Sequence, residues 1–349
     1  MNQFTSGAQF DIRPESEKNK DYKFGELVAS VNAVEWKEKI PDQWRKFPIF
    51  NQDGSGSCVA QTEAKEMGIM RWLKDKVYIH FSATDIYQRR TNKPGSGMGA
   101  VDARNIVKNG GAVLEALSPS QSLTDQQMDE VIVESYKREV GDIFKVPNYV
   151  ELPIKDIETV ASFIQTTGKG AMVWFYFNNN GEWIEHPIVK DPNLDLSAFA
   201  TNRHSVTAVD FALINGKKCL IIEDSWGGNA GIGGQRVIDE DFYKARNWYA
   251  GYLMNFRFDT QTQPIPVPKY TFLQDLEFGM QNSDIKVLQD ILKFEQLFPS
   301  NASSTGYFGA VTKTSVGKFQ LKYKLITSDN IGYGRVGPIT RAKLNSLYG

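Results

Sequence analysis

The 349-residue chain predicts an α+β architecture: a helical lobe, then a lobe of antiparallel, barrel-like β-structure, then a small three-helix domain. Three observations carry this expectation. Apolar residues between Ala60 and Gly111 recur at helical spacing. From about Pro147 the texture changes to runs of aromatic and β-branched residues bounded by turn signals. The segment "DTQTQPIPVPK" at 259–269 has three alternating prolines, which favour an extended spacer that joins neither helix nor sheet. The expected divisions are an arm over 1–38, a main domain over 39–258, a linker over 259–270 and a C-terminal domain over 271–349.

Taken in order, the polar stretch up to about Lys39 lacks apolar periodicity and reads as an extended or partly disordered arm. Ala60, Ala64, Met67 and Met70 fall on one face of a helix that starts near Cys58, so the thiol belongs to its first turn. "FSATDIYQRR" and "AVDARNIVKNGGA" read as two further helices, the second stopped by Gly110 and Gly111. In the second lobe "AMVWFYF", "HSVTAVDFALI", "KKCLIIEDSW", "GGQRVIDED" and "WYAGYLMNFRF" read as strands. Asn215 and Gly216 supply the two positive-φ positions of a tight hairpin turn. Three amphipathic helices follow the linker, built on Ile285, Leu288, Ile291 and Leu292, on Val316, Phe319 and Tyr323, and on Ile339, Ala342 and Leu347. Asp284 is expected to cap the first and Pro338 to open the third.

Forty basic residues against forty-one acidic ones leave no field of one sign, which argues against a nucleic-acid partner or an anionic membrane surface. Cys58 and Cys219 are too few for a disulfide framework and suit a compartment where thiols stay reduced. The first residues lack the basic, apolar and small-residue pattern of a signal peptide, and "AMVWFYF" is too short for membrane insertion. Cytoplasmic synthesis is the expectation. Three scattered histidines and two distant cysteines imply no metal site, and no cofactor is implied either.

A thiol on the first turn of a helix is favoured as thiolate, because unpaired N–H groups and the helix dipole stabilise negative charge there. The candidate bases are His80, His186 and His204. His204 begins a strand whose hairpin partner ends in "EDSWGG", which brings Asp224 behind the imidazole. An acceptor in that place fixes the tautomer and the ring orientation. Singly, each residue also fits a plain role: a packed thiol, a satisfied core histidine, a turn aspartate.

Together they do more, because "FNQDGSGSCVAQTEA" (50–64) resembles the nucleophile block of the papain family. Gln52 stands six residues before Cys58, followed by Gly54, Gly56 and Ser57; "HSV" and "DSWG" resemble the family's later blocks in the same order. The resemblance covers roughly residues 35–257. It implies a papain-like two-lobed fold with Cys58 as nucleophile, His204 as its base, and Asp224 in the place of an asparagine. Gln52 and the Cys58 backbone N–H become the oxyanion donors, and Trp226 the indole over the pair. "GSGMGAVDAR" (95–104) resembles the stretch lining the substrate cleft, where Gly97 and Gly99 would pair with an extended peptide; an ordinary loop fits these glycines equally well. The chain also departs from the family. Ser55 removes a cysteine, and with it the disulfide of secreted relatives, and Val59 replaces an aromatic. The Asp224 carboxylate predicts a histidine pKa above that set by an amide. "NNNGEWIEHPIVKDPNLDLSAF" (178–199) reads as an extra loop, and residues 1–38 are too short for the family's usual inhibitory pro-segment.

Residues 271–349 resemble small peptidoglycan-binding domains through "LEFGMQNSDIKVLQDIL", "GYFGAVTKTSVGKFQLKYKL" and "GYGRVGPITRAKL". Nine basic residues against six acidic ones modestly suit an anionic polymer; a generic helical interaction module is the alternative. The two resemblances imply a cysteine endopeptidase acting on peptidoglycan at the bacterial cell wall, in the manner of a phage or prophage lysin, with association with a virion left open. The alternatives are a protein-cleaving peptidase docked on the wall and an inactive wall-binding or virion structural protein.

Overall fold

In the computed structural model of the chain, the helix expected near Cys58 spans Cys58–Asp75. The structure describes residues 7–19, 21, 33–191, 193, 202–254, 269–295, 297–299 and 304–349. One apolar face underestimates this helix, because every residue from Cys58 to Met70 is buried, Glu63, Lys65 and Glu66 included. Up to Met70 it lies against the sheet on one side and short helices on the other, and only its last turn, with Lys74 and Asp75, is exposed.

The described elements run β1 (Ala8–Gln9), α1 (Glu15–Lys18), α2 (Cys58–Asp75), α3 (Ala83–Tyr87), β2 (Met98–Gly99), α4 (Ala100–Gly110), α5 (Asp125–Glu130) and α6 (Ser135–Ile143). They continue with β3 (Asn148–Glu151), α7 (Ile157–Thr167), β4 (Ala171–Phe177), β5 (Asn202–Ile214), β6 (Lys217–Glu223), β7 (Gln235–Asp239), α8 (Glu240–Arg246) and β8 (Asn247–Met254). Both helices expected after α2 are present, as α3 and α4. Residues 255–258, most of the expected linker and part of the extra loop lie outside the described residues.

The second lobe is a six-stranded sheet of order β3-β8-β4-β5-β6-β7, antiparallel at every pairing. Its hairpin turns at Asn215 (φ 53°) and Gly216 (φ 75°), the two positive-φ positions expected. Every residue of β4 is buried. Ala171, Val173, Phe175 and Phe177 join the main core with Val160 and Phe163 of α7 and Phe242 of α8. Met172, Trp174 and Tyr176 take the opposite face, so the strand reads as a continuous apolar run because both faces are covered.

Two polar contacts fasten the start of α2 to this sheet. Thr62 Oγ1 donates to the Cys58 carbonyl (2.8 Å) and accepts from Ser205 Oγ of β5 (2.9 Å). One turn later Lys65 Nζ donates to Glu223 Oε2 of β6 (2.7 Å), with both side chains buried. Glu223 Oε1 accepts from Phe47 N (2.6 Å) and Gln235 Nε2 (3.2 Å), so the carboxylate is satisfied on both oxygens.

The chain divides into two compact units, the second comprising residues 113–119, 133–140 and 259–349. Within it Lys137 pairs with Asp290 (3.2 Å), both buried, which joins 133–140 to the C-terminal helices. Those helices are α9 (Ser283–Phe294), α10 (Ala310–Lys322) and α11 (Pro338–Tyr348), around Leu276, Leu288, Ile291, Phe319 and Leu344. Two local expectations need correction. Asn282 caps α9, accepting from Ile285 N (3.0 Å), whereas Asp284 lies in the first turn and accepts from the Tyr270 hydroxyl (2.7 Å). Pro338 opens α11, but its inward residues are Thr340, Leu344 and Tyr348, while Ile339 and Ala342 are exposed. Thr340 Oγ1 accepts from the buried Gln320 amide (2.9 Å), which turns that face inward. No described helix is long and apolar enough to cross a membrane.

Removing one partner of a buried ion pair strands the other charge, at a typical loss of about 3–5 kcal/mol. Lys65→Met should lose about that much in urea denaturation, and Lys65→Met/Glu223→Gln should recover most of it. A neutral single variant would show that the pair does not hold α2 in place.

Candidate active site

Cys58 is the first residue of α2, after Ser57 at the N-cap, and is wholly buried. His204 is the third residue of β5, one before the serine that fastens the helix, and Asp224 directly follows β6. Both are also wholly buried. His204 Nε2 and Asp224 Oδ1 lie 2.7 Å apart, which leaves Nδ1 for the thiol. Cys58 interacts with the ring without reaching strict hydrogen-bond geometry at Nδ1. Burial alone would lower the imidazole pKa, but the Asp224 carboxylate, its hydrogen bond and Cys58 outweigh burial and push it up to about 9. Burial likewise opposes the Asp224 charge, yet His204, Arg236 and the Trp183 hydrogen bond hold its pKa below the usual carboxylate range.

Two indoles enclose the imidazole. Trp226 stacks on it, with centroids 4.6 Å apart and planes at 27°, and Trp183 meets it edge-on at 5.8 Å and 87°. Trp183 Nε1 also donates to Asp224 Oδ2 (3.2 Å), and Arg236 Nε of β7 lies 3.5 Å from the same oxygen. Gln52 is tied to this segment: its backbone N–H donates to the Ser225 carbonyl (2.7 Å), and its Oε1 accepts from Ser225 Oγ (2.5 Å). Gln52 Nε2 donates to the Ser55 carbonyl (2.9 Å).

The glycine-rich stretch is occupied by the chain itself. β1 pairs in parallel with β2, Ala8 opposite Met98 and Gln9 opposite Gly99, and Met98 N donates to the Gly7 carbonyl (2.8 Å). The approach is close enough that a Cβ on Gly7 would lie 1.9 Å from the Gly56 carbonyl oxygen, and one on Gly97 2.4 Å from the Gly7 carbonyl oxygen. Asp125 and Tyr87 brace these walls. Asp125 Oδ1 accepts from Gly56 N (2.9 Å) and from the Tyr87 hydroxyl (2.6 Å), which in turn accepts from Gly97 N (2.8 Å). Beside Trp226 lies an open cleft of about 380 Å³ lined by Trp183, Ile184, Asn202, Asn229 and Arg236.

No family model matches the chain, and no curated protein matches it in sequence. Among solved structures, xylellain, a cysteine protease from Xylella fastidiosa, matches with a TM-score of 0.56 at 16% identity, over 72% of this chain and 96% of its own. The fold is that of the papain-like cysteine proteases. The Amb a 11 cysteine protease of ragweed pollen, in its proform, matches with a TM-score of 0.50 at 17% identity, over 69% of this chain and 71% of its own.

On this papain-like frame the structure brings together Cys58, His204, Asp224 and Trp226, with Gln52 joined through Ser225, and it sets Gly97 and Gly99 along the stretch paired with the arm. His80 and His186 stand elsewhere, and burial lowers the pKa of each. Cys219 packs within β6, where burial pushes its thiol up to about 12. Sequence reasoning missed Trp183 and Arg236. The signal available was the acidic residue at an asparagine position, since a buried carboxylate calls for donors, and Arg236 sits in the strand next to β6.

Because the folded pKa of His204 lies above its ordinary 6.5, the pair's contribution to stability is complete below 6.5 and is lost as pH rises through about 9. With only three histidines, ¹³C-histidine NMR should resolve one ring titrating near 9, and Asp224→Asn should move it down by more than a unit. An unmoved midpoint would remove Asp224 as the cause. Crowding a side chain against backbone typically costs about 1–3 kcal/mol, with each 1.4 kcal/mol worth tenfold. Gly7→Val should therefore raise the rate of Cys58 alkylation by iodoacetamide about tenfold; equal rates would mean that the arm does not limit access.

Proposed function

We propose that the chain is a cysteine endopeptidase that hydrolyses amide bonds in peptidoglycan peptides and is held at the wall by its C-terminal unit. One observation carries the hydrolase part: a buried cysteine at a helix start faces an imidazole whose far nitrogen is bound to a buried carboxylate 2.7 Å away. In this reading Cys58 Sγ attacks the amide carbonyl carbon and His204 Nδ1 gives its proton to the departing amine nitrogen. A water molecule then attacks the thioester, giving a proton to His204, and the acid departs as the thiol re-forms. In the same reading the Gln52 Nε2 hydrogen not given to the Ser55 carbonyl and the Cys58 backbone N–H serve as oxyanion donors, which are typically worth about 3–4 kcal/mol each.

The wall part is supported by the resemblance of residues 271–349 to peptidoglycan-binding domains and by the core that their three helices share. A binding module on the polymer raises local substrate concentration without altering the reacting groups. This design fits a phage or prophage lysin. Cleavage of proteins is the second reading, favoured because xylellain and Amb a 11 are both described as cysteine proteases.

Wild type and Cys58→Ala incubated with purified sacculi and with casein decide between them. New free amines from sacculi, absent in Cys58→Ala, are the expected result, together with co-sedimentation of Cys58→Ala with sacculi. Release from casein alone would transfer the activity to proteins, and equal activity in both forms would remove Cys58 from the chemistry.

A further inference from the structure

A carboxylate in the place of the papain family's amide creates a physical problem, since a buried charge without partners is unfavourable. The site answers it with two groups outside the resembling motifs. Arg236 Nε lies 3.5 Å from Asp224 Oδ2, its guanidinium covers the Trp226 ring at 4.8 Å, and Nη1 donates to the Trp183 carbonyl. Trp183 Nε1 donates to the same Oδ2 at 3.2 Å, which leaves Oδ1 for His204.

Trp183 is itself held. The preceding residue, Glu182, makes a wholly buried ion pair with Arg246 of α8 (2.9 Å) and accepts from Lys190 N and Asp191 N (both 3.1 Å). The Trp183 ring stacks on Phe177 of β4 at 4.8 Å and 9°. An exposed insertion would need none of these anchors, and together they present one N–H to one carboxylate oxygen.

We propose that Arg236 and Trp183 are positioning residues that keep Asp224 ionised and aim its Oδ1 at His204, and through that ring set the imidazole against Cys58. This rests on the pair being the reacting one. The charged and titratable groups facing it are Cys58 from α2 and Arg236 from β7, while Glu185 and His186 face Arg236 from the loop after β4. His186 Nδ1 accepts from Val237 N (3.1 Å), which fixes its ring beside the strand that carries Arg236.

The test uses full-length Arg236→Gln, Trp183→Phe and the charge-keeping Arg236→Lys. Three readouts are taken against pH: the His204 ring shift, Cys58 alkylation by iodoacetamide, and kcat and KM on a short fluorogenic peptide amide. An opposite charge at this distance typically lowers a carboxyl pKa by about 1–3 units, so in Arg236→Gln the acid limb of alkylation and of kcat should move up by about that much. Trp183→Phe should move it the same way by less, with KM unchanged, and Arg236→Lys should restore the wild-type limb. A limb that stays in place in Arg236→Gln and Trp183→Phe while rates fall evenly across pH would overturn the proposal, as would a shift in Arg236→Lys equal to that in Arg236→Gln. Should Arg236→Gln fail to fold, Trp183→Phe, which keeps a ring and removes the N–H, carries the test. The first two readouts need no substrate, so a chain that cleaves neither sacculi, casein nor the peptide would sink the hydrolase reading while they still decide this one.

Discussion

The fastening of one helix end to two strands is the constraint on which the site depends. Ser205 follows His204 and Glu223 precedes Asp224, and these two neighbours reach Thr62 and Lys65 on successive turns of α2. Because side chains alternate along a strand, turning Ser205 and Glu223 toward the helix leaves His204 and Asp224 on the opposite side, where they meet each other. Thr62 closes the loop by bonding to the Cys58 carbonyl, so the residue that anchors the helix to β5 also fixes the turn that carries the thiol. Polar groups in the core thus set a register that apolar packing alone, being non-directional, would leave loose.

The same helix shows how partners decide the state of a buried carboxyl. Glu63 and Glu66 are wholly buried on α2, and burial pushes them up to about 7 and about 8. Each has at least one carboxyl oxygen without a hydrogen bond. Glu223, one lattice of bonds away, has Lys65, a backbone N–H and an amide on its two oxygens. Asp224 likewise has partners on both oxygens, the His204 ring and the Trp183 N–H, with the Arg236 charge 3.5 Å away. Burial is common to Glu63, Glu66 and Asp224; what separates Asp224 is the His204 ring and the Trp183 N–H at hydrogen-bond range and the Arg236 charge beside them.

Most of the buried Cys58–His204–Asp224 cluster was legible in the sequence because it is written locally. A glutamine six residues before a cysteine, a histidine opening an apolar strand and an aspartate closing its hairpin partner each sit in a short block, and Asn215-Gly216 fixes how the last two are brought together. Trp183 and Arg236 were not legible, since they come from a loop and a strand that mean nothing until a buried charge at 224 is known to need them. The depth of α2 was hidden for a similar reason: Ala60, Ala64, Met67 and Met70 mark one apolar face, whereas Glu63, Lys65 and Glu66 are buried on the others. In α11 the apolar residues Ile339 and Ala342 pointed to the wrong face, because a Gln320–Thr340 hydrogen bond decides which side turns inward. The short sheet-edge pairing of residues 8–9 has no periodicity to detect.

That pairing bears on the Gly97–Gly99 edge. Two residue pairs of parallel ladder are too few to hold a segment in water, so the arm must be kept in place by its flanks. Phe10 lies against Trp248 (4.7 Å) and under the Arg203 guanidinium (4.2 Å), and Arg13 bridges Asp11 and Asp21, the latter also accepting from the Tyr149 hydroxyl (2.7 Å). The ladder itself offers backbone groups, one side-chain hydrogen bond from Gln9 Nε2 to the Ser96 carbonyl (2.7 Å), and a passage in which Gly7 fits for want of a Cβ. The Gly97–Gly99 edge thus has its backbone groups taken by residues 7–9 of the same chain. The arm therefore holds the backbone groups of this edge, and its hold is set away from it, at Phe10, Arg13 and Asp21, rather than at Cys58.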